Sequence, residues 1–588
     1  MRSLLRASLA LFVLAPAVGC GDDSTQAGGG PEGGTPDVGG APAGGGGGGG
    51  DGGAGGQAGG ESVLERTFVG TQADVQTSIR ETTHADGSRS IHGETRGDLS
   101  DYFLGELALL EAVEDAELDA TGRLVSADLR HRLSYNDNIV VERRVVVDGA
   151  AGTVAVTRPN GELTQTYPTE HPLVPIVFNL SSIIPLPLVS AAECAILQGA
   201  ERAGSQNLNI DTIYTFDFLS ETSGTGMPAA SLLYGDVSCD YDVVSGDLTG
   251  LSSVSWGEFA DEAGAADLVE AIDVAAATQV ITPQVCAAPA RFSSFEVLSG
   301  SGETIHGQLD LPEGTGPFPV VIFSSGSGGS DREANYFGAP QWTCLSEALV
   351  NAGIAVARYD DPGHGESTGS FYALSYTDRD LDVSAVAGVV AGRAEVNAGA
   401  VFLLGHSEGG DHSSRAAIAT PEVTGLILVA GLATPIPEAP VSQRALLHSN
   451  AGYSQDLADA LQASWQTFVD ATLAGTLTPA QAAPNTVEYW EQRVVSDGAA
   501  DAVAAARPTL VIHGDGDWQV APSDADVFEA AFEGTGIDFE VQRFADLGHF
   551  QTHNAPGYVG FGEEYGLPVA FDAVVENAII AWVASHTP

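Results

Sequence analysis

Four consecutive apolar residues, Val401-Phe402-Leu403-Leu404, run directly into Gly405-His406-Ser407-Glu408-Gly409-Gly410. An unbroken apolar run of this kind suits a strand buried on both faces, as in parallel sheets covered by helices. Glycines two before and two after the serine remove the Cβ atoms that would collide in a sharp strand-to-helix turn. Such a turn exposes the Ser407 hydroxyl at the carboxyl edge of a sheet. It also aims the free N–H groups and positive end of the next helix at the point where a tetrahedral oxyanion would form.

The pattern G-x-S-x-G is loose in a chain with 73 glycines, and Gly365-Glu366-Ser367-Thr368-Gly369 matches it as well. Context separates the two. The run Ile354 to Arg358 ends well before the second match, and Asp360-Asp361-Pro362-Gly363-His364-Gly365 between them is loop chemistry, so Ser367 reads as a loop residue.

From about Phe292 apolar strand runs and helix-period segments alternate. Phe295 to Val297 and Ile305 to Leu309 read as a hairpin. Strands at Val320 to Phe323, Ile354 to Arg358, Val401 to Leu404, Gly425 to Val429, Thr509 to His513 and Phe539 to Arg543 come after it. Helices fall between them, near Trp342 to Asn351, near Leu381 to Ala391, from Glu408, and near Phe571 to Ala584. This predicts a doubly wound, mostly parallel α/β sheet over residues 291–588. An alanine-rich stretch at about 431–507 interrupts the alternation and reads as a helical cap over the strand ends.

Residues 61–290 have a different rhythm and read as a β-rich, mainly antiparallel domain. Leu124 to Leu133, Val140 to Val147 and Thr153 to Thr157 are separated by the turn signals Asp148-Gly149 and Pro159-Asn160-Gly161. Ile213 to Leu219 and Ser231 to Tyr241 continue the theme, with helices expected near Leu104 to Glu114 and Ala265 to Ala277. The apolar region Leu173 to Val189 is broken by three prolines and reads as buried chain rather than a membrane span. No blade-like repeat appears.

Residues 1–20 have the form of a lipoprotein signal. Arg2 and Arg6 precede the apolar run Ala7 to Ala17, and Ala17-Val18-Gly19-Cys20 resembles a lipobox with Cys20 as the lipidation site. Export with cleavage elsewhere is the alternative. Residues 21–60 are rich in glycine and read as a disordered tether with a reach of roughly 35 Å. Membrane contact is expected only through the anchor. Of the other cysteines, Cys194, Cys239, Cys286 and Cys344, two bridges or one bridge with Cys344 free are both open, and their spacing suggests no metal.

The formal net charge of −55 opposes nucleic-acid and anionic-surface binding. All 23 basic residues are arginine. Without a lysine amine there is no P-loop, pyridoxal-phosphate Schiff base, lysine aldolase or Ser-Lys hydrolase.

A serine hydroxyl needs a base, and the base needs a carboxylate to orient it. Gly514-Asp515-Gly516-Asp517 comes after one strand and Leu547-Gly548-His549-Phe550 after the last. Asp517 is therefore the candidate acid, with Asp515 a competitor or turn former. His549 is the candidate base, with His553 the fallback. His406 and His513 read as packing residues at strand ends, and His364 and His412 as pocket rim or surface. The glycine-rich loop Ser324 to Gly329 would supply one oxyanion N–H, best from Ser327, and Glu408 the other.

These blocks resemble the α/β-hydrolase superfamily, and within it bacterial carboxylesterases close to dienelactone hydrolases and prolyl-oligopeptidase-like serine hydrolases. The resemblance is carried by Ser325 to Gly328 with Asp331-Arg332, by Arg358 to Gly369, and by Gly405 to Gly410. It implies a serine ester hydrolase working through an acyl-enzyme on a small-molecule ester, with no cofactor. It gives Ser407, Asp517 and His549 the roles of nucleophile, acid and base. It also implies that Asp331, Arg332, Asp360 and Asp361 brace the site rather than react. A serine peptidase of the prolyl-oligopeptidase type and a non-enzymatic surface binding lipoprotein are the alternatives. Oligomeric state is left open.

Overall fold

The computed structural model describes residues 61–588, apart from 101–106, 167–172, 177–189, 197–205, 218–226, 242–247, 275–279, 439–453, 554–568 and shorter breaks before residue 340. The segments expected to form the signal and the tether, with Cys20, and most of the Leu173 to Val189 region lie outside the described residues.

The C-terminal half is built on an eight-stranded sheet. Its strands are β1 (Phe292–Leu298), β2 (Thr304–Asp310), β3 (Phe318–Ser324), β4 (Ala355–Tyr359), β5 (Val396–His406), β6 (Gly425–Val429), β7 (Thr509–Gly514) and β8 (Phe539–Phe544). The spatial order is β1-β2-β4-β3-β5-β6-β7-β8. Only the β1–β2 and β2–β4 pairings are antiparallel, so strands β3 to β8 all point their carboxyl ends to one edge.

The apolar runs are continuous because both faces of these strands are covered. Val320, Ile322, Val401, Leu403, Leu426 and Leu428 face one core. Their neighbours Val321, Phe323, Phe402, Leu404, Ile427 and Val429 face the other, as the two-residue period of a strand requires. The nine helices among the described residues of this half are α1 (Gln341–Asn351), α2 (Tyr376–Ala391), α3 (Glu408–Ala419), α4 (Gln455–Leu473), α5 (Pro479–Ala482), α6 (Val487–Arg493), α7 (Gly498–Ala505), α8 (Asp524–Phe532) and α9 (Ala573–Ser585). Helices α2, α3, α7 and α8 fill the first core. Helices α1 and α9 fill the second, through Trp342, Leu345, Ile579 and Trp582.

The helical stretch expected at about 431–507 divides in two. Helix α7 buries Ala499, Ala502 and Ala505 in the sheet core and serves as the crossover from β6 to β7. Helices α4 to α6 gather around Trp465, Phe468, Tyr489 and Trp490 in a core of their own.

Upstream, eight strands from Ser62–Gly70 to Gly161–Thr166 form a meander in which each pairs antiparallel with the next. Four later strands extend its first edge, where Gly257–Ala263 pairs with Ser62–Gly70. The Ser231 to Tyr241 run is two strands, Met227–Leu232 and Gly235–Tyr241, paired antiparallel.

Two helix expectations fail here. The segment near Leu104 to Glu114 contains the strand Ala108–Leu118, paired on both sides. Its Ala, Leu and Glu content favours helix in isolation, but Ala108, Leu110, Ala112, Glu114, Ala116 and Leu118 are all buried at a two-residue period. Two neighbouring ladders override the local propensity. The described residues of 266–274 are not helical either, and Leu268 and Val269 give their N–H groups to Glu94 instead.

Cys344 is not free: it is disulfide-bonded to Cys286, joining the segment ahead of β1 to helix α1. Ala287 N–H also donates to Glu347 of α1 at 2.9 Å. No helix of the described residues is long and apolar enough to cross a membrane. The bridge spans a sequence separation of 58, so Cys286→Ser with Cys344→Ala should lower unfolding stability by about 2–4 kcal/mol in denaturant titrations. Unchanged midpoints under non-reducing conditions would show that the bridge constrains nothing in the unfolded chain.

Candidate active site

Ser407 sits between β5 and α3 with φ 56° and ψ −126°, a strained conformation for a residue carrying a Cβ. The surroundings over-determine it. A Cβ on Gly405 would lie 2.1 Å from the Gly409 carbonyl oxygen, and one on Gly409 would lie 2.3 Å from that of Ser324. The ends of β3 and β5 and the start of α3 therefore meet backbone against backbone. The Ser407 N–H donates to the Val429 carbonyl of β6 at 2.9 Å, which closes the turn.

Asp517 and His549 arrive at the same sheet edge from the loops after β7 and β8. The Asp517 carboxylate is fully buried, and its Oδ1 accepts the N–H groups of Gln519 and Val520 at 2.8 and 2.9 Å. Its Oδ2 is thereby turned to His549 Nδ1, 2.8 Å away. With Nδ1–H donating to the carboxylate, Nε2 of His549 is left as the basic nitrogen. Burial alone would lift the Asp517 carboxyl, but the charge of the His549 ring and the hydrogen bond outweigh it and hold it below the ordinary carboxylate range.

His406 does more than pack. Its Nε2 lies 3.0 Å from the His549 carbonyl oxygen and its ring 4.8 Å from the His549 ring. Burial, and then the charge of His549, push its pKa down to about 3. A neutral His406 can donate Nε2–H to that carbonyl, tying the loop that carries His549 to the residue before Ser407.

The loop after β3 lies directly over the serine: a Cβ on Gly326 would stand 3.1 Å from the Ser407 Cβ. Asp361 pins this loop, accepting Ser325 Oγ at 2.7 Å and Ser330 N–H at 2.9 Å. Asp360 holds the chain just beyond it, through the N–H and Nε of Arg332 at 2.8 and 2.9 Å, and also accepts the N–H of Glu366 at 2.9 Å. Ser327 turns its hydroxyl to the Glu408 carboxylate.

Glu408 is the centre of a buried charge cluster. Arg379 Nη1 from α2 approaches at 3.0 Å, His412 Nε2 from α3 at 3.3 Å, and the Tyr489 hydroxyl from α6 at 2.9 and 3.0 Å. Arg493, at the end of α6, pairs with it as well. Burial would raise the Glu408 carboxyl, yet the Arg493 charge, the His412 hydrogen bond and the Arg379 charge hold it well below its usual value.

His412, expected at a rim or on the surface, is buried between Asp380 and Glu408, with Nδ1 2.7 Å from Asp380. Its place one helical turn after Glu408 puts both on the inner face of α3. Burial alone would lower its pKa, but these two carboxylates raise it. His364 is half-buried, its ring 6.2 Å from that of Phe371. The remaining alternatives lie apart from the hydrogen-bonded Asp517–His549 pair. Asp515 has an exposed side chain 3.7 Å from Arg543. His553 is exposed and paired with Asp572 at 3.0 Å. Ser367 is a loop residue whose hydroxyl donates to the Asp360 carbonyl at 2.7 Å. Among the described residues no group of three or more His, Cys, Asp or Glu side chains could hold a metal ion.

The strand order, the elbow between β5 and α3 and the loops after β7 and β8 give this half of the chain the α/β-hydrolase fold. Residues 341–554 match the model of a family described as serine aminopeptidase, S33. Esterase EstD of Thermotoga maritima is 24% identical over 265 residues, covering 44% of this chain and 60% of that protein. Two solved structures are similar to the same half of the chain. Est1E of Butyrivibrio proteoclasticus with ferulic acid shares 15% identity at a TM-score of 0.33, over 49% of this chain and 98% of its own. The esterase domain of a Rhodothermus marinus protein shares 17% identity at 0.32, over 50% and 98%.

Asp411, one turn into α3, gives this site a measurable pH signature. Burial raises its carboxyl to about 6, against the opposing pull of the Tyr376 hydrogen bond, Arg493 and His412, while Asp501 adds to the rise. The fold thus favours its neutral form. That stabilisation is complete below the unfolded value of 3.8 and is lost as pH rises through about 6. Asp411→Asn keeps a neutral, similarly shaped group, so its stability relative to the unmodified protein should rise by about 2 kcal/mol between pH 4 and 7. Parallel stability–pH curves from urea unfolding would contradict this.

Proposed function

We propose that the protein is a serine carboxylic-ester hydrolase acting through an acyl-enzyme. The observation that carries this reading is the Asp517–His549 pair, held by backbone N–H groups on the acid and standing at the sheet edge where the strained Ser407 turn lies. Ser407 Oγ attacks the ester carbonyl carbon as its proton passes to His549 Nε2. The carbonyl electron pair moves onto oxygen, where the N–H groups of Ser327 and Glu408 receive it. The tetrahedral species collapses as His549 returns the proton to the departing alcohol, and water repeats the sequence to free the acid. Asp517 keeps the imidazole in the tautomer whose Nε2 carries no proton and balances the charge it acquires. The substrate is a small-molecule ester, in keeping with the Thermotoga maritima esterase to which this half of the chain is similar.

The match to a serine aminopeptidase family favours a second reading, an amide-cleaving enzyme with the same catalytic groups. Short p-nitrophenyl esters and aminoacyl p-nitroanilides separate the two: ester turnover should exceed anilide turnover, and the reverse order would replace the first reading with the second. A fluorophosphonate probe should label the protein and fail on Ser407→Ala. Asp517→Asn should lower kcat by about 10³–10⁴-fold. Asp515→Asn, at an exposed turn position, should stay within about threefold, because surface changes away from the site have small effects. A large loss in Asp515→Asn with little in Asp517→Asn would reverse the assignment.

The same proposal places the enzyme outside the cytoplasm, lipid-anchored at Cys20 with residues 21–60 as a tether. Metabolic labelling with an alkyne fatty acid should mark the exported protein and spare Cys20→Ala. Equal labelling of both would remove the anchor from this account.

A further inference from the structure

We infer that the Glu408 side chain is a positioning group, setting both oxyanion donors against the nucleophile and tying their geometry to cap helix α6. This rests on the esterase reading and adds a residue to it: Glu408 then acts through its carboxylate as well as through its backbone N–H.

The two proposed donors come from distant segments, residue 327 after β3 and residue 408 at the start of α3. Their side chains bond directly, since the Ser327 hydroxyl donates to the Glu408 carboxylate. One carboxylate thus clamps the loop that passes over Ser407 to the helix that begins beside it. A Cβ added to Gly326, between Ser325 and Ser327, would stand 3.1 Å from the Ser407 Cβ, so the loop runs close enough to the serine that a small shift of it changes where an oxyanion would be held.

A buried carboxylate beside an oxyanion site would ordinarily work against catalysis, because it repels the charge that develops there. Here it is 1% exposed, and the guanidiniums of Arg379 and Arg493 neutralise it from two directions. Arg379 is itself sandwiched, 3.8 Å above the Phe371 ring and 4.4 Å from that of Tyr489. The remaining charged neighbours are balanced locally: His412 lies between Glu408 and Asp380, Arg415 pairs with Asp380 at 2.6 Å, and Asp411 bonds Tyr376 at 2.5 Å. The partners Tyr489 and Arg493 both belong to α6, outside the sheet layers. Displacing α6 therefore pulls on the carboxylate that orients the donors. Substrate shape read by the cap and transition-state binding at the serine become one coupled property.

Glu408→Gln keeps the size and some hydrogen bonds but removes the charge that gathers both arginines. With short p-nitrophenyl esters it should lower kcat about 10–100-fold and leave KM within about threefold, less than the loss of a whole donor. Affinity for an aryl trifluoromethyl ketone, which Ser407 converts to a tetrahedral oxyanion, should fall by the same factor as kcat. Ser327→Ala should lower the same two quantities, and the double variant should be no worse than Glu408→Gln alone. Tyr489→Phe should give a smaller loss of the same kind, and it keeps the test open if Glu408→Gln fails to fold. A rise in KM with kcat and ketone affinity unchanged would mean the carboxylate only holds the cap in place, and additive losses in the double variant would break the proposed link to Ser327. Ketone affinity and fluorophosphonate labelling rate need no ester substrate. A protein that labels and binds the ketone but cleaves no ester would end the esterase reading while leaving this inference to be judged on ketone affinity.

Discussion

The carboxyl edge of the sheet depends on one backbone contact, the approach of Gly405, Gly409 and the Ser324 carbonyl to within distances no side chain would permit. That contact holds Ser407 at a positive φ and brings β3, β5 and the first turn of α3 into one knot. The strain is local and its support is global. The strands on either side are buried on both faces, so the turn cannot relax without dragging two cores with it. The loop after β3 and the dipole of α3 inherit their positions from the same knot.

Around it, polar groups are arranged in two styles. Asp517 is oriented by backbone, with the N–H groups of Gln519 and Val520 fixing one carboxylate oxygen so that only the other can meet the His549 imidazole. Glu408, the residue after Ser407, is oriented by side chains drawn from α2, α3 and α6. The first style is rigid and cheap in residues. The second gathers opposite charges in a buried site, where an unmatched partner would be strongly destabilising.

Much of this was legible in the residues because it is written in short, local patterns. The strands β3 to β7 read directly as apolar runs, and the Gly-x-Ser-x-Gly turn and the Asp and His loops announce themselves by the strands ahead of them. What escaped was non-local. The strand Ala108–Leu118 carries helix-favouring residues and is made a strand by ladders on both sides. The role of His412 depends on Asp380 in another helix. The cluster on Glu408 unites positions 327, 379, 408, 412, 489 and 493, and no window of sequence contains more than two of them. Helix α7 looked like part of the cap because its alanines give a period without saying which surface they meet.

The bridge between Cys286 and Cys344 has a geometric consequence for how the two halves can move. It fastens the chain to α1 just before the sheet begins, leaving Ala287 to Arg291 as a short span closed at both ends. Any pivot between the halves is thereby pushed upstream of Cys286. From that residue onward the polypeptide turns with the eight-stranded sheet, and whatever swing the β-rich half possesses begins on its own side of the clasp.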